Sequence, residues 1–205
     1  MTLPTQLTVL RIVLAPVFFL LFAIVEPAEM SWAAGVFLVA AVTDWYDGYF
    51  ARRMNLTSPL GAFLDPLADK LLTSAAFLGF ATRGLLPWWM VLLVLARDIY
   101  LTVFRMSADA VLQTVKTSYF AKMKTFAQMV FIGYVLLTLM MATGTFGIEP
   151  MRLGATLADP ELLYWIMAVL VSLTIYSAIQ YTYDNWNVVV AVFRRYVLSR
   201  KPMEL

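Results

Sequence analysis

The chain has 205 residues, 62% of them hydrophobic and 14% charged, with a formal net charge of +2. Soluble domains are about half apolar and about a quarter charged, so this composition excludes an ordinary soluble domain, and so small a net charge gives no footing for a nucleic-acid partner. The absence of Cys and His excludes disulfides, thiolate catalysis and the side chain used most often as neutral-pH base and metal ligand, leaving carboxylates, Lys, Arg, hydroxyls and bound metal to do any chemistry.

Six apolar segments follow one another, at about 7–25, 31–54, 59–82, 87–108, 119–144 and 161–183. Each approaches the roughly 20 residues that cross a bilayer, and unbroken apolar runs read as helices, which satisfy their own backbone groups in lipid. The first is too long for the apolar core of a cleaved signal and holds Arg11, so it reads as a retained membrane helix. Glu26-Pro27-Ala28-Glu29 separates it from the second. Thr57-Ser58-Pro59 supplies an N-cap Ser and a Pro at the first position of the third. Arg83-Gly84 and Pro87 divide the third from the fourth, and Gly144, Gly147, Pro150, Gly154 and Pro160 predict a long loop before the sixth. The last stretch, 184–205, mixes aromatics with Arg194, Arg195, Arg200 and Lys201 and reads as an interfacial tail. The expected architecture is an all-α membrane protein of about six transmembrane helices, one integral membrane domain over 1–205.

An even number of spans places both termini on one side. That side collects Arg52, Arg53, Lys116, Lys122, Lys124 and the basic tail, while the other holds Arg83 and Arg152 beside Glu26, Glu29, Glu149, Asp159 and Glu161. Because Lys and Arg stay in the cytoplasm, the termini and the basic connections are expected there.

The second segment runs into Asp44-Trp45-Tyr46-Asp47-Gly48, and the third begins near Gly61 and carries Asp65 and Asp69. Spacings of three and four place each pair of acids on one helix face. A short connection between the helices brings the four carboxylates to the cytoplasmic end of the bundle. Carboxylates at membrane depth are costly and mark function. Four together repel and call for cations, and an all-oxygen donor set suits Mg²⁺ or Mn²⁺, as two ions clamping phosphate oxygens. Gly48, Ala51 and Gly61 stand one residue or one turn from these acids and let a bulky ligand approach the backbone, while Arg52 offers a fixed cation for phosphate.

The string Asp44-x2-Asp47-Gly48-x2-Ala51-Arg52-x8-Gly61-x3-Asp65-x3-Asp69, the 44–69 signature, resembles that of the CDP-alcohol phosphotransferases at every specified position. The resemblance implies a six-helix bundle, a homodimer and a cytoplasm-facing polar active-site cavity. It further implies metal ligation by Asp44, Asp47, Asp65 and Asp69, with Asp69 also the general base, and CDP binding by Asp44, Gly48, Ala51, Arg52 and Gly61. The reaction expected is transfer of a phosphatidyl group from CDP-diacylglycerol to an alcohol, in the bacterial cytoplasmic (inner) membrane.

Three stretches bear on the acceptor. The start, Leu3-Pro4-Thr5-x-Leu7-Thr8-x2-Arg11-x4-Pro16, resembles bacterial phosphatidylglycerophosphate synthases, a branch of that family. So do the spacing of Arg97 and Arg105 and the run Lys122-Met123-Lys124-Thr125-Phe126-Ala127-Gln128-Met129. Arg97, Arg105, Lys122 and Lys124 are thus candidates to bind the phosphate of glycerol 3-phosphate, Arg as a fork and Lys as a point charge. Asp98 departs from that branch, which commonly has Glu there, and the Arg-Asp pair also resembles cardiolipin synthases, whose acceptor is phosphatidylglycerol. Among other classes, an ion or lipid transporter is disfavoured because the acids gather at one membrane face and no inverted halves are visible. Trp165, Tyr176, Tyr181, Tyr183 and Trp186 read as packing and interfacial aromatics.

Overall fold

A computed structural model describes residues 3–24, 26, 29–54, 59–110, 119–144 and 146–193; within these ranges the side chains of 3–5, 44–54, 59–67, 69, 109–110, 119–122 and 193 lie outside the description. The described residues form helices and turns, with no strand. Six helices are long: α1 (Leu3–Ile24), α2 (Met30–Met54), α3 (Pro59–Thr82), α4 (Trp88–Ala110), α5 (Tyr119–Ala142) and α7 (Pro160–Asp184). Two are short, α6 (Ile148–Leu157) and α8 (Trp186–Phe193). The shortest of the long six has 22 residues, about 33 Å at 1.5 Å per residue, against a hydrocarbon core of about 30 Å.

The distribution of apolar surface identifies the solvent. Val13, Leu20 and Ile24 of α1 and Trp165, Val169 and Ile179 of α7 are all more than half exposed. Water would not tolerate so wide an apolar exterior, whereas lipid does. Gln6–Ile24, Met123–Ala142 and Pro160–Asp184 are each long and apolar enough to cross a membrane, and α2 and α3 contribute apolar stretches at Met30–Thr43 and Lys70–Thr82. The fourth segment is interrupted midway by Arg97, Asp98 and Arg105, so its place in the bundle rests on packing rather than on hydropathy. The protein is an integral membrane helical bundle.

Each long helix buries one stripe. On α1 it is Thr8, Arg11, Ala15, Phe18 and Phe22; on α7 it is Leu163, Met167, Leu170, Thr174, Ser177 and Tyr181. Both follow the three-and-four spacing of a helix face. Among the described residues α2 and α3 pack chiefly on α1 rather than on each other, α5 packs on α6 and α7, and α4 leans on α7. The interior divides along its length. One part is aromatic: the Phe22 ring meets Phe80 edge-on at 5.3 Å, and Phe77 stacks on Phe131 at 6.2 Å. Arg83 closes this part, its Nε donating to the Phe22 carbonyl at 2.5 Å and its guanidinium lying 5.2 Å from the Phe22 ring. The other part is polar and holds Lys124, Gln128, Asp98 and Ser177.

The long loop expected before the last span is in part a helix. α6 forms from residues that look like breakers. Pro150 stands in its first turn, where a missing N–H costs nothing, and Glu149 sits at the favourable end of the dipole. Gly147, at φ 103°, makes the entry turn. Gly154 lets α6 lie against α5: a Cβ there would fall 2.6 Å from the Met141 Cβ and clash with the Ala142 backbone nitrogen. Tyr134 ties the two together by donating to the Leu157 carbonyl at 2.7 Å. Gly154→Ala is therefore expected to destabilise the protein by roughly 1–3 kcal/mol, the usual cost of overpacking. Thermal unfolding in detergent measures this, and an unchanged midpoint would show that α6 is free to slide off α5. The cap of α7 matches expectation in kind: Asp159 accepts from Glu161 N at 2.9 Å and Leu162 N at 3.2 Å, with Pro160 following. Of the tail expected over 184–205, the part described is helix α8, which begins after Asn185 caps α7 by donating to the Tyr181 carbonyl at 2.8 Å. Tyr181 is core, while Trp165, Tyr176, Tyr183 and Trp186 are exposed.

Candidate active site

The four signature acids lie in unbroken helix: Asp44 and Asp47 in α2, Asp65 and Asp69 in α3. Their side chains, with those of Gly48, Ala51, Arg52 and Gly61, fall outside the described residues, and with them the expected convergence on metal and CDP. The helix backbones give the register of these positions. The buried stripe of α2, formed by Ala33, Phe37 and Ala40, reaches positions 44 and 47 when continued at the same spacing. The buried stripe of α3, formed by Ala68, Leu72, Ala76 and Phe80, reaches positions 65 and 69 when followed back. Among the described residues no group of three or more acidic side chains is placed to hold a metal ion.

The second set of candidates is described in part, and it is drawn together by a residue outside that set. Asp98, buried on α4, accepts on Oδ1 from Arg97 Nη1 at 2.9 Å and from Lys124 Nζ at 2.5 Å. Arg97 also donates through Nη2 to the Ser177 hydroxyl at 2.8 Å, and that hydroxyl donates onward to the Thr174 carbonyl at 2.9 Å. The side chains of Arg97, Asp98 and Lys124 are 8%, 6% and 1% exposed, so this is a buried ionic cluster spanning α4, α5 and α7. Lys70 of α3, the neighbour of Asp69 in sequence, lies within electrostatic reach of both Asp98 and Lys124. Two cations thus contact one carboxylate.

Of the four cations expected to take acceptor phosphate, the structure brings Arg97 and Lys124 together. Arg105, two turns beyond Arg97, is exposed and takes no part in this network. The Lys122 side chain lies outside the described residues. Sequence reasoning passed over Ser177, which sits in an apolar helix with no motif around it. Gln128, quoted in the Lys122–Met129 run but given no role there, is 1% exposed and one turn from Lys124 on the same buried face. Among the described residues the Nε2 of Gln128 and the Nε of Arg97 find no acceptor. Polar donors buried this deeply are ordinarily paired, so these two N–H groups stand out within the cluster.

The CDP-alcohol phosphatidyltransferase family matches residues 1–176. A CDP-diacylglycerol–glycerol-3-phosphate 3-phosphatidyltransferase of Bacillus subtilis (strain 168) is 36% identical over 147 residues, covering 66% of this chain and 76% of the relative. A protein of the same name from Escherichia coli (strain K12) is 41% identical over 138 residues, covering 65% and 75%. The match takes in the signature helices and the Arg97–Asp98–Lys124 cluster alike, and the chain belongs to the CDP-alcohol phosphatidyltransferase family of enzymes.

Proposed function

We propose that this enzyme transfers a phosphatidyl group from CDP-diacylglycerol to sn-glycerol 3-phosphate, giving phosphatidylglycerophosphate and CMP. The observation that carries the choice of acceptor is the pair of buried cations, Arg97 and Lys124, that share the single carboxylate of Asp98. An acceptor that is itself a phosphomonoester supplies the anion such a site lacks, and an uncharged alcohol does not. The names of the relatives point the same way.

Asp44, Asp47, Asp65 and Asp69 fit a divalent metal, Mg²⁺ or Mn²⁺, and two such ions suit the number of carboxylates. The donors are all oxygen, and the spacing within each pair sets them on one helix face. Bound metal would supply Lewis-acid polarisation of the pyrophosphate and neutralise the acids. The rest falls to the protein. Gly48, Ala51 and Gly61 leave room for the cytidine diphosphate portion against the helix backbones. Arg97 and Lys124, with Arg105 and Lys122 nearer the cytoplasmic end, hold the acceptor phosphate. Asp69 accepts the proton of the acceptor hydroxyl as that oxygen attacks the phosphorus bearing the diacylglycerol. CMP departs with its charge met by Arg52. With neither Cys nor His in the chain, direct displacement is the simplest route.

The same reading makes 1–205 one domain, working as a homodimer in the bacterial cytoplasmic membrane with its polar cavity open to the cytoplasm. The basic residues that gather at one end support that orientation. The test is CMP release from CDP-diacylglycerol by the purified protein. It should require both glycerol 3-phosphate and Mg²⁺ or Mn²⁺, and stop on chelation. Release that survives chelation would remove the metal from the scheme.

A further inference from the structure

Arg97 and Lys124 can serve an acceptor only if something fixes them, because long cationic side chains carry much rotamer freedom. The contacts that fix them are Asp98 and Ser177. Asp98 accepts from both cations on the same oxygen, and Ser177 takes the second terminal nitrogen of Arg97. Arg97 is thereby gripped at Nη1 by its own helix and at Nη2 by α7, with Nε left as its buried donor without an acceptor among the described residues. Lys124 spends one of its three N–H bonds on Asp98, its one hydrogen-bond partner among the described residues. Gln128, one turn along α5, adds an amide Nε2 in the same condition as Arg97 Nε. Donors held rigidly at both ends and left partly unspent are preorganised for an anion.

We infer that Asp98 and Ser177 are positioning residues of the acceptor site, which hold Arg97 and Lys124 in place for the phosphate of the acceptor without touching it themselves. This rests on the acceptor reading above. It places part of the site's specificity on α7, a helix with no recognisable motif. It also gives the buried carboxylate a role opposite to the one its charge suggests. Asp98 repels the acceptor anion in isolation, yet its removal should weaken acceptor binding, because the two cations lose their common anchor.

The experiment measures CMP release by the full-length protein in lipid nanodiscs, varying glycerol 3-phosphate and CDP-diacylglycerol separately. Inorganic phosphate serves as a competitor against the acceptor. Asp98→Asn should raise the KM for glycerol 3-phosphate at least about tenfold, the scale of one charge-assisted hydrogen bond. The phosphate inhibition constant should rise in parallel while the requirement for CDP-diacylglycerol is unchanged. Asp98→Glu should recover most of that loss. Ser177→Ala, which frees one end of Arg97 alone, should raise the same KM by about fivefold. An acceptor KM that falls or stays level in Asp98→Asn would show the carboxylate to be a competitor or a bystander and overturn the inference. Equal effects on both substrates would make the cluster merely structural and overturn it too. If Asp98→Asn does not accumulate, Asp98→Glu and Ser177→Ala decide by the same criterion. Wild-type protein active only with another acceptor would overturn both this inference and the function on which it rests, whereas wild-type activity with unresponsive variants overturns the inference alone.

Discussion

Asp69→Asn is expected to abolish CMP release while the protein still inserts and folds. The substitution keeps shape and volume and removes one charge, so its effect on helix packing is small. Its effect on chemistry is large because an amide cannot accept the proton of the acceptor hydroxyl. General-base catalysis alone is worth about 10²–10⁴-fold, and loss of a metal-binding carboxylate adds to that. The position is well suited to the role. Asp69 lies one turn before the buried Thr73 and next to Lys70, which is in electrostatic reach of Asp98. Turnover should fall to the detection limit, with the elution profile and helical circular dichroism unchanged. Turnover within about tenfold of wild type would remove Asp69 as the base, since even the weak end of that catalytic range would be missing.

The second large effect is expected at Lys124. Methionine matches lysine in length and apolar stem but removes the ammonium, leaving Asp98 with Arg97 as its one direct ionic partner among the described residues. Breaking a buried pair by deleting one partner costs about 3–5 kcal/mol, because the remaining charge is left in a medium that solvates it poorly. The retained Arg97 bond brings the expectation for Lys124→Met to the lower end, about 3 kcal/mol. The thermal midpoint in detergent should drop clearly, and activity at low glycerol 3-phosphate should drop further than activity at low CDP-diacylglycerol. A double-mutant cycle separates packing from charge. Asp98→Asn should cost less in the Lys124→Met background than in wild type, since it then strips the carboxylate from one buried cation rather than two. Additive costs would mean that Lys124 and Asp98 do not depend on each other.

The membrane bundle was legible because lipid imposes a blunt rule. Each span must be apolar for about 20 residues and helical throughout, and the observed long helices start and stop within a few residues of the expected segments. Helix α6 was not legible because its glycine and its proline carry two meanings. Pro150 breaks a helix from within but opens one at its first turn, and Gly154 weakens a helix in isolation but lets α6 approach α5. Which meaning holds is decided by tertiary contact. The helices that carry the signature were legible in the sequence, while the convergence of its side chains lies outside the described residues. The buried ionic cluster could be read only in pieces. Arg97, Asp98 and Lys124 stood out as charges in apolar segments, but their common oxygen contact joins residues 26 apart in sequence. Ser177, 80 residues from Arg97, had no local signal at all. A buried serine in a membrane helix usually bonds its own backbone, as this one also does with Thr174.

The most direct test of the central claim is the acceptor dependence of CMP release by purified wild-type protein, given CDP-diacylglycerol, Mg²⁺ or Mn²⁺, and one acceptor at a time. The account predicts release with glycerol 3-phosphate and formation of phosphatidylglycerophosphate, with no release when phosphatidylglycerol is the acceptor. Release with phosphatidylglycerol in place of glycerol 3-phosphate would contradict it, leaving the signature helices in their role but making the cluster of Arg97, Asp98 and Lys124 the seat of a lipid phosphodiester.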